Sequence, residues 1–214
     1  MALVRAVSGG SQLEPAEVAR RANELERLAH GTPSGIDATV IAWERPIVFE
    51  KGKEPVPLRV AAPFRLALGV LPREGTTATL VAGVRALKEK DPRAFEGLLD
   101  EVRAVVARAR AALADGDVVE LGKALDANQA VLQVLGVSTP ATQRAWEALT
   151  AAGALGAKLS GAGGGGVVLA LLGPKADPGR VLGALRASGA LDCFVTEISA
   201  WRTPSPEAPT PEPP

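Results

Sequence analysis

The chain has 214 residues, of which 47% are hydrophobic, so it is long enough to bury a sizeable core in one large domain or two small ones. Its 24 basic and 24 acidic residues cancel, so no net charge marks the protein as a binder of nucleic acid or of membrane surfaces. The single cysteine excludes an intramolecular disulfide, and with only one histidine the chain has no Cys/His set for zinc.

No segment of the sequence is typical of targeting or of membrane insertion. The longest apolar runs, such as Val167 to Leu172, are far shorter than the roughly 20 residues that cross a bilayer. No cationic segment followed by a signal-like apolar run opens the chain. Together with the low cysteine content, these features predict a soluble cytoplasmic protein without a membrane partner.

The two ends of the chain differ from the rest. The first ten residues, MALVRAVSGG, are apolar and helical in pattern from the start, with no N-cap residue before them. Because an isolated helix shorter than about 12 to 15 residues is marginal, we expect this segment to be the end of a helix that begins upstream. The Pro-rich run TPSPEAPTPEPP predicts a disordered tail over 203–214.

The first complete element is predicted to be a helix that begins at Pro15. Its apolar residues recur at nearly helical spacing and predict one buried stripe of Val18, Ala22, Leu25 and Ala29. Arg20 and Arg27 then face water. Two strand-like segments follow, PIVFEKG and FRLALGVL, and the second has on one face Phe64, Leu66, Leu68 and Val70.

Four helices are predicted next. The first is TTATLVAGVRALKEKD, and the second has Asp91-Pro92 as its cap and first position, ends at Asp115-Gly116 and turns inward Leu98, Val102, Val105 and Leu113. The others cover Val118 to Leu135 and Pro140 to Ala152. The last third alternates strand and helix: GAKLS, the turn GAGGGG, VVLALL, DPGRVLGALRASG and LDCFVTEIS. This pattern predicts an α+β fold with a boundary near Pro63.

The stretch HGTPSGID, His30 to Asp37, follows the first predicted helix. Glu26 lies at the edge of that helix's buried stripe, and His30 follows four residues later on the same face. A turn through Pro33 and Gly35 would bring Asp37 back, so that two carboxylates and an imidazole converge. By residue type alone an alternative remains open: Glu26 pairs with a surface arginine, His30 caps its helix, and Asp37 caps a following helix.

The segment GAGGGG, Gly161 to Gly166, exposes backbone N–H groups and permits left-handed conformations. Such a loop suits an anion-binding nest or the close approach of another backbone. It is neither a G-x-G-x-x-G that opens a helix nor a Walker sequence. A flexible hairpin turn is the alternative. Lys158, just before the loop, either reaches a phosphate or faces solvent.

Three segments, ELERLAHGTPSGID, GTTATLVAGVR and KLSGAGGGG, resemble in this order and spacing the GHMP kinases, and the form His-Gly-x-Pro-Ser-Gly-x-Asp is similar to that of the mevalonate-kinase branch. The resemblance covers roughly Met1 to Trp201. It implies an α+β fold in which 1–62 is part of a GHMP-kinase N-terminal domain (ribosomal S5 domain 2-like). Residues 63–202 would form a ferredoxin-like α+β C-terminal domain, followed by the tail.

The resemblance also implies an activity: transfer of the γ-phosphate of ATP to the primary hydroxyl of mevalonate, for isoprenoid precursor synthesis, with ATP and Mg²⁺ as cofactors and a homodimer as an open option. Asp37 matches the catalytic aspartate and Glu26 the Mg²⁺ ligand. The substrate-binding positions would be His30, Ser34 and Thr77, of which Thr77 also suits a helix N-cap. The nucleotide would lie near Gly161, Ala162, Gly163 and Gly164.

The sequence departs from the family pattern on the nucleotide side. An N-terminal lysine and a Pro-x3-Gly-Leu-x-Ser-Ser-Ala loop do not occur in these 214 residues, and MALVRAV resembles the helix directly after that loop. Since one catalytic hydrogen-bond donor is worth about 2.7 to 4 kcal/mol, we expect no turnover from these residues alone. Two alternatives stay open: a non-catalytic fragment or interaction module, and a kinase for phosphomevalonate, a sugar or homoserine.

Overall fold

The computed structural model describes residues 13–30 and 33–202, without the side chains of Ala29, His30 and Thr77. The helix end expected at 1–10, the tail expected at 203–214 and the inward position expected for Ala29 lie outside this description. The described residues form two compact units. The first ends at Val60 and includes Trp201, and the second is Ala61–Ala200.

The first unit is built on two helices, α1 (Pro15–His30) and α2 (Ile36–Trp43). They bury a set of small residues against each other: Val18, Ala19, Ala22, Ala38 and Ala42. A two-residue antiparallel ladder joins β1 (Ile47–Val48) to β2 (Val56–Pro57). Val60 and Trp201 form an isolated bridge in which each N–H donates to the other's carbonyl at 2.8 Å.

Two sequence expectations fail in this unit. Leu25, predicted to be buried, is 50% exposed. Helix α2 covers Val18 and Ala22, and it begins beside Asn23, whose side chain lies against Gly35. Leu25 comes after Asn23, so α2 does not cover it. Helix α2 was predicted only in the open alternative that Asp37 caps a following helix, because its β-branched residues disfavour a helix locally. Its packing on α1 overrides that preference.

The second unit contains a four-stranded antiparallel sheet in the order β4-β5-β3-β6. Its strands are β3 (Phe64–Leu71), β4 (Gly156–Ser160), β5 (Gly166–Leu172) and β6 (Asp192–Ile198). Between β3 and β4 lie α3 (Thr77–Lys90), α4 (Pro92–Asp115), α5 (Val118–Val134) and α6 (Pro140–Ala151), and α7 (Pro178–Ala187) joins β5 to β6. This β-α-β-β-α-β order confirms the predicted α+β, ferredoxin-like class.

Apolar side chains cover both faces of this sheet. One face packs Ala67, Leu71 and Ala170 against α6 and α7, with Leu149 and Leu185 fully buried there. The opposite face places Phe64, Leu66 and Leu171 against α4 and α5. The four residues predicted to share one face of the strand are all half-buried: Phe64, Leu66, Leu68 and Val70. The alternate residues Ala67, Gly69 and Leu71, on the other face, are more deeply buried.

The helix ends follow local chemistry closely. Asp91 caps α4 by accepting from the Ala94 N–H at 2.9 Å, and Gly116 ends it in the left-handed conformation at φ 76°. Inside α4, Val105 is buried as predicted, while Leu98, Val102 and Leu113 are half-buried. No helix in residues 13–30 and 33–202 combines the length and apolar character that a membrane crossing needs.

Helix α5 lies along the free edge of strand β4. The two backbones meet at Gly122 and Gly156, where a Cβ on Gly156 would lie 2.0 Å from the Gly122 carbonyl oxygen. Further along, the Asp126 carboxylate accepts from the Ala157 N–H at 3.0 Å, and the Gln129 amide oxygen accepts from the Leu159 N–H at 2.9 Å. Side chains of a helix therefore pair the outward N–H groups of the edge strand.

This contact makes a stability prediction. We expect Gly156→Ala to lower the free energy of unfolding by about 1 to 3 kcal/mol, because backbone atoms must move to admit the methyl group. Gly83→Ala is the control, since a Cβ there meets nothing within 4 Å inside helix α3; it should add up to about 1 kcal/mol. Urea unfolding measures both, and equal stabilities would contradict the close contact.

Candidate active site

Two of the predicted acids, Glu26 and Asp37, lie on the paired helices of the first unit. Gly35, with φ 82°, precedes α2, and a Cβ there would lie 3.4 Å from the Asn23 Oδ1 atom. Glu26 is one helical turn beyond Asn23, and Asp37 is in the first turn of α2. The contact between Asn23 and Gly35 therefore places the start of α2 beside α1. The convergence of the two carboxylates on one site stays a prediction.

Neither acid is neutralised within the part of the chain that the structure describes. Glu26 is half-buried and Asp37 is exposed, and no ion pair or hydrogen bond engages either carboxylate among those residues. Nearby arginines are directed elsewhere: Arg20 contacts Glu17 and Glu24 at 2.7 and 2.6 Å. Hydrogen bonds from Arg20 and Arg21 lower the pKa of Glu17 to about 2. No arginine of the described residues contacts the Glu26 carboxylate.

Asp37 does not cap its helix. The N-cap is Gly35, which makes no side-chain capping hydrogen bond, and the Ile36 N–H donates to the Ser34 hydroxyl at 3.3 Å. Asp37 instead lies in the first turn, where the helix dipole favours a negative charge. The arrangement leaves an exposed carboxylate that can accept a proton from a ligand hydroxyl. The predicted substrate residue Ser34 sits two residues before this helix.

These acids suit a cation that is shared with a ligand. Among residues 13–30 and 33–202, no group of three His, Cys, Asp or Glu side chains is arranged to hold a metal ion by itself. Mg²⁺ commonly takes only one or two carboxylates and completes its octahedral shell with substrate phosphates and water. Glu26, which is half-buried and has no ion-pair partner in the described part of the chain, fits that donor set. The side chain of His30, at the end of α1, lies outside the description, so its predicted role stays a prediction.

The glycine loop, Gly161–Gly166, connects β4 to β5 in the second unit. Five of its residues have left-handed φ values: Gly161, Gly163, Gly164, Gly165 and Gly166. The Gly164 N–H donates to the Val137 carbonyl at 2.9 Å, and the Gly164 carbonyl accepts from the Glu74 N–H at 2.7 Å. The loop is therefore held between the turn that joins α5 to α6 and the segment that precedes α3.

Close backbone approach explains these glycines. A Cβ on Gly163 would lie 2.3 Å from the Val137 carbonyl oxygen, and one on Gly165 would lie 2.1 Å from that of Pro72. A methyl group on Gly164 would meet Leu80 Cδ1 at 2.7 Å. A loop packed on three sides is not a loose hairpin turn, so the alternative of simple flexibility does not describe it. The predicted nucleotide role of Gly161, Ala162, Gly163 and Gly164 stays a prediction.

Thr77 is the first residue of α3 and is not its cap. Thr76 is the N-cap and accepts from the Thr79 N–H at 3.2 Å in a capping box. The alternative role of Thr77 as an N-cap is therefore wrong. Glu74, which donates to Gly164, precedes Thr77 by three residues, so the start of α3 and the glycine loop are neighbours. The Thr77 side chain itself lies outside the description.

Three polar residues near these elements were not predicted to have a role: Asn23, Asp126 and Gln129. The Asn23 oxygen is buried beside Gly35 without a hydrogen-bond partner in the described part of the chain. Asp126 and Gln129 hold strand β4, and Gln129 is 0% exposed. The sequence could have indicated the burial of Gln129, because Gln129 follows Leu125 by four residues and so lies on the same inward face of α5.

Lys158 does not extend freely into solvent. Its side chain is half-buried, and its Nζ donates to the Leu159 carbonyl at 2.7 Å. Burial penalises the charged ammonium group and lowers the pKa of Lys158 below the ordinary 10.5. The alternative of a lysine that faces solvent is therefore wrong, because its ammonium group is partly buried and bonds the Leu159 carbonyl. Contact with a phosphate stays a prediction.

The glycine loop gives a matched pair of substitutions. Gly165→Ala and Gly161→Ala both place a methyl group on a left-handed residue, which costs about 1 to 2 kcal/mol. Only Gly165→Ala also collides with backbone, since nothing lies within 4 Å of a Cβ on Gly161. We expect it to lose a further 1 to 3 kcal/mol, roughly, in the free energy of unfolding. Identical losses in urea titrations would show that conformation alone requires the glycines.

The buried lysine predicts a pH dependence. Because the pKa of Lys158 is lower in the folded protein than the ordinary 10.5, the unfolded chain binds more protons between the two pKa values, so folding gains stability as the pH rises through that window. We expect Lys158→Met to be more stable than the parent at neutral pH and to lose that advantage by pH 10.5. Urea unfolding from pH 7 to 11 tests this, with exposed Lys175→Met as control. An advantage that does not change with pH would contradict it.

The sequence matches known proteins over most of its length. Residues 109–191 match the family model for the GHMP kinases C terminal domain. The chain is 37% identical over 197 residues to mevalonate kinase of Thermococcus gammatolerans, an alignment that covers 89% of this chain and 57% of the relative. Mevalonate kinase of Mus musculus is 32% identical over 188 residues, covering 83% and 47% respectively.

Solved structures share the fold. The crystal structure of L. major mevalonate kinase in complex with R-mevalonate superposes with a TM-score of 0.79 at 29% identity, covering 88% of this chain and 60% of that one. The Methanococcus jannaschii mevalonate kinase gives 0.72 at 22% identity, which shows the fold alone. The chain spans about half the length of the curated relatives it matches, 57% and 47% of the two named here. Their sequences, with the shared fold, confirm the predicted resemblance: the chain belongs to the GHMP kinase family.

Proposed function

We propose that the protein is an ATP-dependent small-molecule kinase that transfers the γ-phosphate of ATP to the primary hydroxyl of mevalonate. The observation that carries the proposal is the pair of carboxylates without ion-pair partners in the described residues, Glu26 and Asp37, on two helices joined at the Asn23–Gly35 contact. The L. major relative supports the choice of substrate, since its crystal structure is a complex with R-mevalonate.

In this proposal Asp37 orients the substrate hydroxyl and accepts its proton. The hydroxyl oxygen forms a bond to the γ-phosphorus, the bond from that phosphorus to the bridging oxygen of ADP breaks, and ADP leaves. Because phosphoryl transfer depends mainly on positioning and on charge, one exposed carboxylate in the first turn of α2 is a sufficient acceptor.

Glu26 would hold Mg²⁺, which when bound neutralises charge on the β- and γ-phosphates. His30, Ser34 and Thr77 would position the substrate. The glycine loop would support the nucleotide side from the packed position it occupies between Val137 and Glu74. These 214 residues do not contain the Gly-Leu-x-Ser-Ser-Ala sequence, so we propose that turnover requires a chain that supplies this loop as well.

The roles of the two acids can be tested by substitution in a chain that carries these 214 residues together with that loop. We expect Asp37→Asn to lower kcat by about 10² to 10⁴ while changing the KM for mevalonate little, because the lost carboxylate acts on the proton in the transition state. ADP release measured with ATP, Mg²⁺ and mevalonate reports both constants. Near-normal turnover of Asp37→Asn would refute the assignment.

Glu26 has a matched control on its own helix. We expect Glu26→Gln to raise the Mg²⁺ concentration needed for half-maximal rate by about tenfold, because one charged ligand is lost. Glu24→Gln removes an exposed carboxylate that contacts Arg20, and it should leave this concentration unchanged. Equal responses in Mg²⁺ titrations of the two variants would contradict a metal role for Glu26.

The same assay separates the competing functions. A panel with phosphomevalonate, galactose and homoserine in place of mevalonate identifies a kinase for another small alcohol. If no acceptor yields ADP above the rate without acceptor, the proposal fails and a non-catalytic interaction module becomes the better description.

A further inference from the structure

We propose that Gln129 is a positioning residue for the glycine loop. Its side-chain amide bridges the strand that enters the loop and the turn against which the loop packs. The inference rests on the proposed function only for its kinetic consequence, namely that the loop serves the nucleotide. The structural part concerns the second unit alone.

Gln129 is fully buried and uses both ends of its amide. The oxygen accepts from the Leu159 N–H at 2.9 Å, and the nitrogen donates to the Ser138 hydroxyl at 2.9 Å. Leu159 is two residues before Gly161, the start of the loop. Ser138 directly follows Val137. One side chain therefore holds the entry of the loop and the turn beside it in a fixed relation.

That turn contacts the loop directly. The Val137 carbonyl accepts from the Gly164 N–H at 2.9 Å, and Val137 lies so close to Gly163 that a Cβ there would be 2.3 Å from the same oxygen. The Gly164 carbonyl in turn accepts from the Glu74 N–H at 2.7 Å, just before α3. A shift of the turn would thus change the loop and the segment that leads to Thr77.

The position requires a side chain that can satisfy both contacts. A buried N–H or amide group without a partner is costly, so losing either bond favours a rearrangement of the strand or the turn. Methionine has a similar length and offers no amide. Glutamate in its protonated form has the same shape, keeps an acceptor for the Leu159 N–H and can donate its O–H to the Ser138 hydroxyl, whereas its ionised form would leave a buried charge without a partner.

Asp126 provides the matched control. It lies one turn earlier on α5 and also pairs the edge of β4, where its Oδ1 accepts from the Ala157 N–H at 3.0 Å. The same oxygen accepts from the Trp146 indole N–H at 2.9 Å, so its second partner is on α6 and not on the turn at Val137. Asp126 therefore anchors the strand without reaching the loop.

Amide hydrogen exchange on the 214-residue chain, followed by NMR, tests the positioning role. In Gln129→Met we expect exchange at Gly164 and Glu74 to rise by about tenfold relative to Ala170 in the central strand β5. Gln129→Glu should restore protection under acidic conditions, where its buried carboxyl group is protonated. Asp126→Ala should raise exchange at Ala157 and leave Gly164 unchanged.

Ser138→Ala keeps the experiment decisive if Gln129→Met does not fold, because it removes only the contact on the turn. It should loosen Gly164 in the same direction. The proposal is overturned if Gly164 exchanges at the parental rate in every folded variant of Gln129→Met and Ser138→Ala. It is also overturned if Asp126→Ala raises exchange at Gly164 as much as they do.

The kinetic consequence is measured in the same loop-containing chain that tests the proposed function. Ser138→Ala should raise the KM for ATP by about threefold with a smaller change in kcat, and Asp126→Ala should not. A loosened loop with an unchanged KM for ATP would overturn the link to the nucleotide. Absence of turnover in the parent would contradict the proposed function alone, because the exchange rates do not depend on activity.

Discussion

The second unit depends on how closely helix α5 approaches the edge of strand β4. Gly122 and Gly156 have no side chains where the two backbones meet, and this absence lets the helix lie within hydrogen-bonding reach of the strand. Asp126 and Gln129 then pair N–H groups that an edge strand would otherwise expose. Of these two side chains, only Gln129 also reaches the turn beside the glycine loop, through the Ser138 hydroxyl.

The residues proposed for chemistry are divided between the two units. The first unit contributes carboxylates on a pair of helices whose contact is made of small side chains, so their spacing depends on Gly35 and on the alanines beneath it. The second contributes a loop whose glycines are needed for packing as well as for left-handed conformation. In the first unit Gly35 lets α2 begin close to α1, and the Asn23 side chain lies at that contact. In the second unit Gly163 lets the loop approach the Val137 carbonyl, and Gln129 bonds the neighbouring Ser138.

Local chemistry predicted the helix ends and the order of elements well. Asp91, Pro92 and Gly116 bound α4 as expected, because capping and left-handed termination involve only neighbouring residues. The alternation of strand and helix after Gly156 likewise predicted the α+β class correctly. The local pattern could not settle helix α2 or the exposure of Leu25. Both depend on the packing of α2 against the first half of α1, which is a contact between separate elements.

The sequence by itself determined the fold class, the family resemblance and the identity of the candidate residues, since these follow from patterns and motifs along the chain. Only the folded chain shows that the glycine loop packs against Val137, Glu74 and Leu80, that Thr76 rather than Thr77 caps its helix, and that Gln129 bonds both Leu159 and Ser138. The physical reason is that such contacts join residues distant in sequence, such as Gln129 and Leu159. Their distances are set by backbone packing, which no local pattern records.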